Sequence, residues 1–313
     1  MFGSLVIAYL FLGGTGAGAC LVVSAVGLLV DRGELVAEPS LRLSASEPCC
    51  RLLVPALGIA AAAVALGLFC LVADLGSPQA ALGVLTGGAT SWANFGVIAL
   101  VCCIAIVAAQ VGLLYGPRNI PVALLRVLQV LGIAAGFGAA AYTGLLLMDM
   151  TGVPLWSTLW LPVLFALSAI GCGLAILVIC AVLTGAWESF SKLFERLAFV
   201  DVAVVVLESA ALALFLLHAA RGGVASAAEV LFSGGLAPVF WIGVVFAGLI
   251  VPIASETVAL RVGDASPYHL STHVLATAAF ALAGAACLRY CVVMAGTHPY
   301  LGALGVGGAA LAW

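Results

Sequence analysis

Charge is what this sequence has least of. Lys and Arg together number 10 and Asp and Glu 13 in 313 residues, so 7% of the chain is charged while 65% is apolar. A soluble domain of this length would aggregate with that composition. So few cations also argue against a nucleic-acid partner. Alternation is missing too: no stretch repeats the apolar-out, polar-in pattern of an outer-membrane barrel. What remains are long apolar runs. A helix of roughly 20 residues crosses a hydrocarbon core of about 30 Å. Eight runs reach that length, near 5–30, 51–73, 92–115, 122–148, 157–184, 197–219, 237–258 and 270–295. The expected fold class is all-α, a polytopic membrane protein with eight transmembrane helices and membrane lipid as its surroundings.

The scarce cations set the orientation. Arg32, Arg42 and Arg51 flank the first connection, Arg118 and Arg126 the third, Lys192 and Arg196 the fifth, and Arg261 the seventh. The second and fourth connections have none, and the sixth has Arg221 alone. The positive-inside bias then puts both termini outside, with the odd connections in the cytoplasm of a cell inner membrane. Trp92, Trp156, Trp160 and Trp241 fall at the inferred outer interface and Trp187 at the inner one, as interfacial tryptophans do. No Lys or Arg precedes the first apolar run, so the basic n-region of a secretory signal is lacking and the first helix is read as mature. The glycine-rich tail from Gly296 to Trp313 is too short for a ninth span and is expected on the outer surface.

Metal-binding patterns are also lacking. Ten cysteines include no CxxC pair. Cys20, Cys70, Cys102, Cys103, Cys172, Cys180, Cys287 and Cys291 fall within spans, where cysteine packs as a small hydrophobe. Cys49 and Cys50 are expected in a cytoplasmic loop, where thiols stay reduced. Four histidines, His218, His269, His273 and His298, do not supply the facing pairs that a transmembrane haem needs. No haem, iron–sulfur cluster or metal site is expected in this chain.

The polar groups that do occur are therefore informative. A carboxylate in hydrocarbon costs several kcal/mol unless it is neutral, paired or hydrated. Asp201 and Glu208 lie seven residues apart on the sixth helix, which puts them on one face about 10 Å apart along the axis. They fit either a water-linked proton path or a structural lock, for example with Arg289 of the eighth helix. Glu256 lies near the inner end of the seventh. At the outer end, Asp74 opens Asp74-Leu75-Gly76-Ser77-Pro78, which leads on to Thr90-Ser91-Trp92. Tyr9 and Tyr142, the latter followed by Thr143, lie at a comparable depth on the first and fourth helices. A phenol donates to a carbonyl at one end and packs in lipid at the other, so Tyr9, Asp74, Trp92 and Tyr142 converge on a pocket for a lipid-soluble redox carrier. In Gly13-Gly14-Thr15-Gly16-Ala17-Gly18-Ala19, no preceding strand supports a nucleotide loop. Small residues at Gly14 and Gly18 allow close helix approach, and Gly13 and Gly14 would equally leave room for a flat quinone ring. Gly132, Gly136 and Gly138 form a similar face on the fourth helix.

Several of these segments recur together in one family. Tyr9-Leu10-Phe11-Leu12-Gly13-Gly14 with Gly16-Ala17-Gly18-Ala19, Asp74-Leu75-Gly76, Ser91-Trp92 and Tyr142-Thr143-Gly144 resemble the NrfD/PsrC-type membrane subunit of polysulfide-reductase-like complexes. Pro162 to Gly173, Asp201 with Glu208, and Phe240-Trp241 through Gly248-Leu249-Ile250-Val251-Pro252 continue the likeness in the same order. The resemblance implies two four-helix bundles, residues 1–150 and 151–313, in a haem-free subunit that binds menaquinone or ubiquinone near the outer face. It also implies an iron–sulfur (ferredoxin-like) partner and a molybdopterin catalytic subunit on that face. Carried over, Tyr142 matches the quinone-contacting tyrosine and Asp74 the acidic residue beside the pocket, which makes these two the catalytic candidates. Some members place histidine or asparagine on the first helix; this chain has Tyr9 near that position. A proton-coupled transporter is the alternative, and it would favour interrupted spans at matching positions in the two halves.

Overall fold

The computed structural model describes residues 4–30, 47–74, 92–115, 122–150, 152–221, 225–261 and 267–297. They form helices α1 (Ser4–Leu29), α2 (Glu47–Asp74), α3 (Trp92–Tyr115), α4 (Val122–Met148), α5 (Trp160–Leu183), α6 (Ser191–Arg221) and the short α7 (Ala225–Phe232). A π-helical segment (Val239–Ile250), α8 (Val251–Arg261) and α9 (Pro267–Gly296) complete the chain order. The described residues hold eight spans long and apolar enough to cross a membrane, one of them the π segment joined to α8, and no strand occurs among them. The protein is a multi-pass membrane protein. Large apolar side chains such as Phe69, Phe137, Phe199 and Ile242 face outward, where lipid covers them.

Helix α1 is the hub. It packs against α2, α4 and α5, while α9 packs on α5 and on the π segment. Lipid tails are as apolar as leucine, so close backbone packing is what joins such helices. The packing explains the glycine run. A Cβ on Gly18 would lie 1.7 Å from the Ala169 carbonyl oxygen of α5, and one on Gly16 would lie 2.8 Å from the Ala60 carbonyl oxygen of α2. The small-residue spacing on the first helix thus serves two contacts at once.

Helix ends follow local chemistry. Helix α5 stops at Gly185, whose φ of 69° is open to glycine at little cost. The Gly185 N–H donates to the Val182 carbonyl and that of Trp187 to Ala181, which satisfies carbonyls of the last turn. At the far end of the hub helix, Arg126 donates to the carbonyls of Gly27 (3.0 Å), Leu28 and Val30 (2.9 Å). A cation there also complements the negative end of the helix dipole. Arg126, near the start of the fourth span, is therefore the C-terminal cap of another helix.

Three expectations need correction. Helix α2 begins at Glu47 rather than 51, so Cys49 and Cys50 lie in its first turn and not in a loop. Pro48 suits a first turn, where its missing N–H has no partner to lose. Cys49 is buried, and the Cys50 thiol donates to the Leu114 carbonyl at 3.4 Å. Trp156 is not an interfacial anchor: it is fully buried and its Nε1–H donates to the Val292 carbonyl of α9 at 3.1 Å. The seventh span is not one α-helix. Its first part winds as a π-helix, and the Val251 N–H closes the last wide turn on the Phe246 carbonyl. Pro252 follows at once and has no N–H to continue the ladder. Glycines on this stretch face α9: a Cβ on Gly284 would lie 2.2 Å from the Gly248 Cα. The third span, by contrast, is an uninterrupted α-helix.

Candidate functional site

Among the polar groups inside the bundle, two constellations hold residues singled out from the sequence, and helix α1 touches both. The first contains the tyrosines. Tyr9 on α1 and Tyr142 on α4 are 0% and 1% exposed, and their phenols face one another. The Tyr9 hydroxyl nevertheless has no aligned hydrogen-bond partner. Buried hydroxyls in native proteins are nearly always paired, so an orphan of this kind marks a place for water or a ligand. Gly96 on α3 backs the Tyr142 ring so closely that a Cβ there would fall 1.8 Å from Tyr142 Cζ. Thr143 donates to the Ala140 carbonyl at 2.8 Å within its own helix and so is not the partner of either phenol. Gly96 was not singled out from sequence; nothing in the local pattern of α3 marks it.

The remaining members of the expected pocket divide. Asp74 is the last residue of α2 and is exposed. Residues 75–91, with Gly76, Ser77, Pro78, Thr90 and Ser91, lie outside the described residues, and so does the Trp92 side chain. Gly13 lies beside the Tyr9 ring and Leu100, where a Cβ would meet them at 3.6 and 3.9 Å. The space left by Gly14 is taken: a Cβ there would lie 2.8 Å from Arg289 Nη2. At Gly14 the missing side chain admits a guanidinium rather than a quinone ring.

Arg289 belongs to the second constellation. It is 0% exposed. Its Nε–H donates to the Leu10 carbonyl at 3.1 Å, and Nη1 donates to the Ser168 hydroxyl at 3.2 Å and to the Ala285 carbonyl at 3.0 Å. Phe165 and Phe11 lie at 5.3 and 6.0 Å from the guanidinium carbon, distances at which ring faces attract a cation. Nη2 makes no hydrogen bond. One guanidinium thus links α9 to α1 and α5.

Glu208 faces the same serine from α6, so Ser168 stands between the carboxyl and the guanidinium. Asp201, Glu208, Ser168 and Cys172 line one small cavity with Gly248 and Gly284. It offers about 20 Å³ to the centre of a water molecule, and one water needs roughly 10–15 Å³. The seven-residue spacing does put both carboxylates on one face, as expected. Ser168 was missed; a hydroxyl within the apolar run of α5 was its only sequence signal. A third polar group, also missed, lies between α1, α3 and α4: Gln110 Nε2 donates to Ser24 Oγ at 3.0 Å and to the Leu128 carbonyl at 3.2 Å, and Gly132 leaves space for Ser24.

His218 and His273 are exposed, the His269 side chain and His298 lie outside the described residues, and no group of three His, Cys, Asp or Glu among the described residues is arranged to hold a metal.

Comparison with known proteins agrees with this architecture. The family described as "Polysulphide reductase, NrfD" matches residues 1–299. The C subunit of polysulfide reductase from Wolinella succinogenes is 34% identical over 192 residues, covering 59% of the present sequence and 58% of that protein. The protein NrfD homolog of Haemophilus influenzae is 28% identical over 158 residues, covering 50% of the present sequence and 48% of its own. The matched regions thus span about half the length of these curated relatives. With the family match running through all eight spans, the chain belongs to the polysulphide reductase NrfD family.

Proposed function

We propose that this protein is the membrane subunit of a polysulfide-reductase-type respiratory complex, in which it exchanges electrons and protons with menaquinone or ubiquinone. The observation that carries the reading is the pair of buried phenols, Tyr9 facing Tyr142 with no aligned hydrogen bond for the Tyr9 hydroxyl. Oxidising a quinol releases two electrons and two protons, so a site needs a polar partner for the ring oxygens, an acid to pass protons on, and an electron acceptor. Tyr142, with Tyr9 opposite, takes the first role and the exposed Asp74 carboxylate the second. Gly13 borders this site beside the Tyr9 ring. The acceptor is an iron–sulfur partner subunit on the outer face, feeding a molybdopterin catalytic subunit. With both termini outside, residues 1–150 and 151–313 act as two four-helix bundles in the inner membrane.

Quinone binding tests this directly. Fluorescence quenching of a hydroxyquinoline-oxide-type analogue by the purified protein should saturate, and Tyr142→Phe should weaken it about tenfold, the effect of losing one buried hydrogen bond at the upper end of its range. Asp74→Asn should leave binding and assembly intact but stop quinol-linked turnover of the complex. Saturable binding that Tyr142→Phe leaves unchanged, or normal quinol-linked turnover in Asp74→Asn, would remove that residue from the site.

Asp201, Glu208 and Arg289 supply a proton path in the second half, with one water in the shared cavity completing the contact between the carboxylates. Glu208→Gln should lower the proton-to-electron ratio measured in proteoliposomes; an unchanged ratio would leave the carboxylates a structural role. The alternative, a proton-coupled carrier, finds less support, because the interruption of the seventh span has no counterpart in α3.

A further inference from the structure

A groove of about 320 Å³ opens at the end of the bundle where α6 stops and α5 starts, lined by Trp160, Leu214, Leu217, His218 and Arg221. That volume lies within the range of clefts that hold ligands, roughly 300–1,000 Å³. Its lining is graded along the membrane normal. Leu214, Leu217, His218 and Arg221 fall at positions i, i+3, i+4 and i+7 of one helix and so form a single stripe. Along that stripe the chemistry changes from two leucines, 38% and 48% exposed, to two exposed nitrogen bases at the helix end. Trp160, 39% exposed, closes the side wall from the first turn of α5, at the depth where tryptophan marks the interface between hydrocarbon and headgroups.

The order of these groups matches one class of molecule. A phospholipid standing upright presents its phosphate at the level of Arg221 and His218 and its acyl chains along Leu217 and Leu214, about 10 Å deeper over seven residues of helix. A guanidinium binds a phosphate oxygen pair bidentately and is less strongly hydrated than an ammonium. Cations in the last turn also complement the helix dipole, but that role requires neither the leucine stripe nor the tryptophan wall. From these placements the geometry points to a binding site for an anionic phospholipid, with Arg221 and His218 on its phosphodiester and Trp160 beside its glycerol. Neither constellation described above shares a residue with this groove, so the site is separate from the tyrosines and from the Arg289 cluster. Charge selects the anionic class: a zwitterionic lipid brings its own cation to the phosphate and gains less from Arg221.

Native mass spectrometry of the full-length protein, released from detergent after incubation with phosphatidylglycerol, cardiolipin, phosphatidylcholine or inorganic phosphate, tests the assignment. Phosphatidylglycerol and cardiolipin should remain bound in preference to phosphatidylcholine. Arg221→Gln should reduce that retention about fivefold, the weight of one cation at an anionic surface, and Arg221→Lys should restore part of it. Leu217→Asn should reduce retention without altering the charge, as a free phosphate site would not. Thermal midpoints in phosphatidylcholine, equal to that of the unsubstituted protein, establish that each variant is folded. Equal retention of anionic and zwitterionic lipids, undiminished retention in folded Arg221→Gln, or competition by inorganic phosphate at the lipid's own affinity would each overturn the proposal. So would loss of a co-purifying polypeptide from Arg221→Gln with lipid retention intact, which gives the groove to a protein partner.

Discussion

Replacing Gly18 with valine is expected to prevent assembly of the helix bundle. The first added carbon alone would lie 1.7 Å from the Ala169 carbonyl oxygen and 2.4 Å from its carbon, and across the same contact a Cβ on Gly173 would lie 2.4 Å from the Gly18 carbonyl oxygen. Overpacking commonly costs about 1–3 kcal/mol, because a neighbouring side chain can rotate away. Here the neighbours are main-chain atoms of α5, so relief requires α1 and α5 to separate, and α1 also holds α2 and α4. The cost should exceed about 3 kcal/mol, beyond the usual overpacking range. Size-exclusion profiles and thermal midpoints of detergent-solubilised protein measure it. Gly58→Ala and Gly112→Ala serve as controls, since a Cβ at either meets nothing within 4 Å. A monodisperse Gly18→Val protein with an unchanged midpoint would refute the assigned contact.

Arg289→Met should have the second-largest effect. Burying a guanidinium is unfavourable, and apolar replacement of a buried charge is sometimes neutral. Two features decide otherwise here. Methionine leaves the Leu10 carbonyl and the Ser168 hydroxyl without their donor, and hydrogen bonds to a charged group contribute about 1.5–3 kcal/mol each. It also leaves empty the space beside Gly14 that Nη2 now fills. A net loss of about 3–5 kcal/mol is expected, the range for removing one member of a buried charge cluster. Arg289→Lys should recover only part, because an ammonium lacks the fork that reaches α1 and α5 together. A double-mutant cycle with Glu208→Gln separates two roles. If the guanidinium mainly compensates the carboxylate, the pair of substitutions will cost less than the sum of each. Strict additivity would mean that Arg289 acts only as a tie between helices.

Most of the secondary structure could be read in advance, because hydrocarbon thickness fixes helix length and the apolar runs are long. The exceptions were local. Pro48 was compatible with a first turn, but the second apolar run was read as starting at 51, which left Cys49 and Cys50 in a loop. The π winding of Val239–Ile250 left only an indirect trace, its glycines and Pro252, which are common in membrane helices of any kind. Trp156 resembled an interfacial anchor until its indole N–H was seen bonded to α9.

The candidate sites were less accessible. In a soluble helix the apolar stripe identifies the buried face. Here the lipid-facing and core-facing sides are both apolar, so the rotation of each helix about its axis leaves little imprint. Asp201 and Glu208 could be paired because they share one helix. Their link through Ser168 to Arg289 joins residues on α5, α6 and α9, and the bond from Arg289 to Leu10 spans 279 positions. Gly96 behind Tyr142 is a similar case.

The sequence by itself determined that this protein crosses a membrane eight times as helices, because few charges and long apolar runs permit no other way to satisfy its backbone. It also pointed to the family, through motifs kept in order from the first span to the seventh. Only the tertiary structure decided that Arg289 fills the space at Gly14, that Tyr9 faces Tyr142, and that Ser168 separates Glu208 from the guanidinium. Those outcomes depend on close packing between helices distant in sequence, which small residues permit but their spacing alone does not specify.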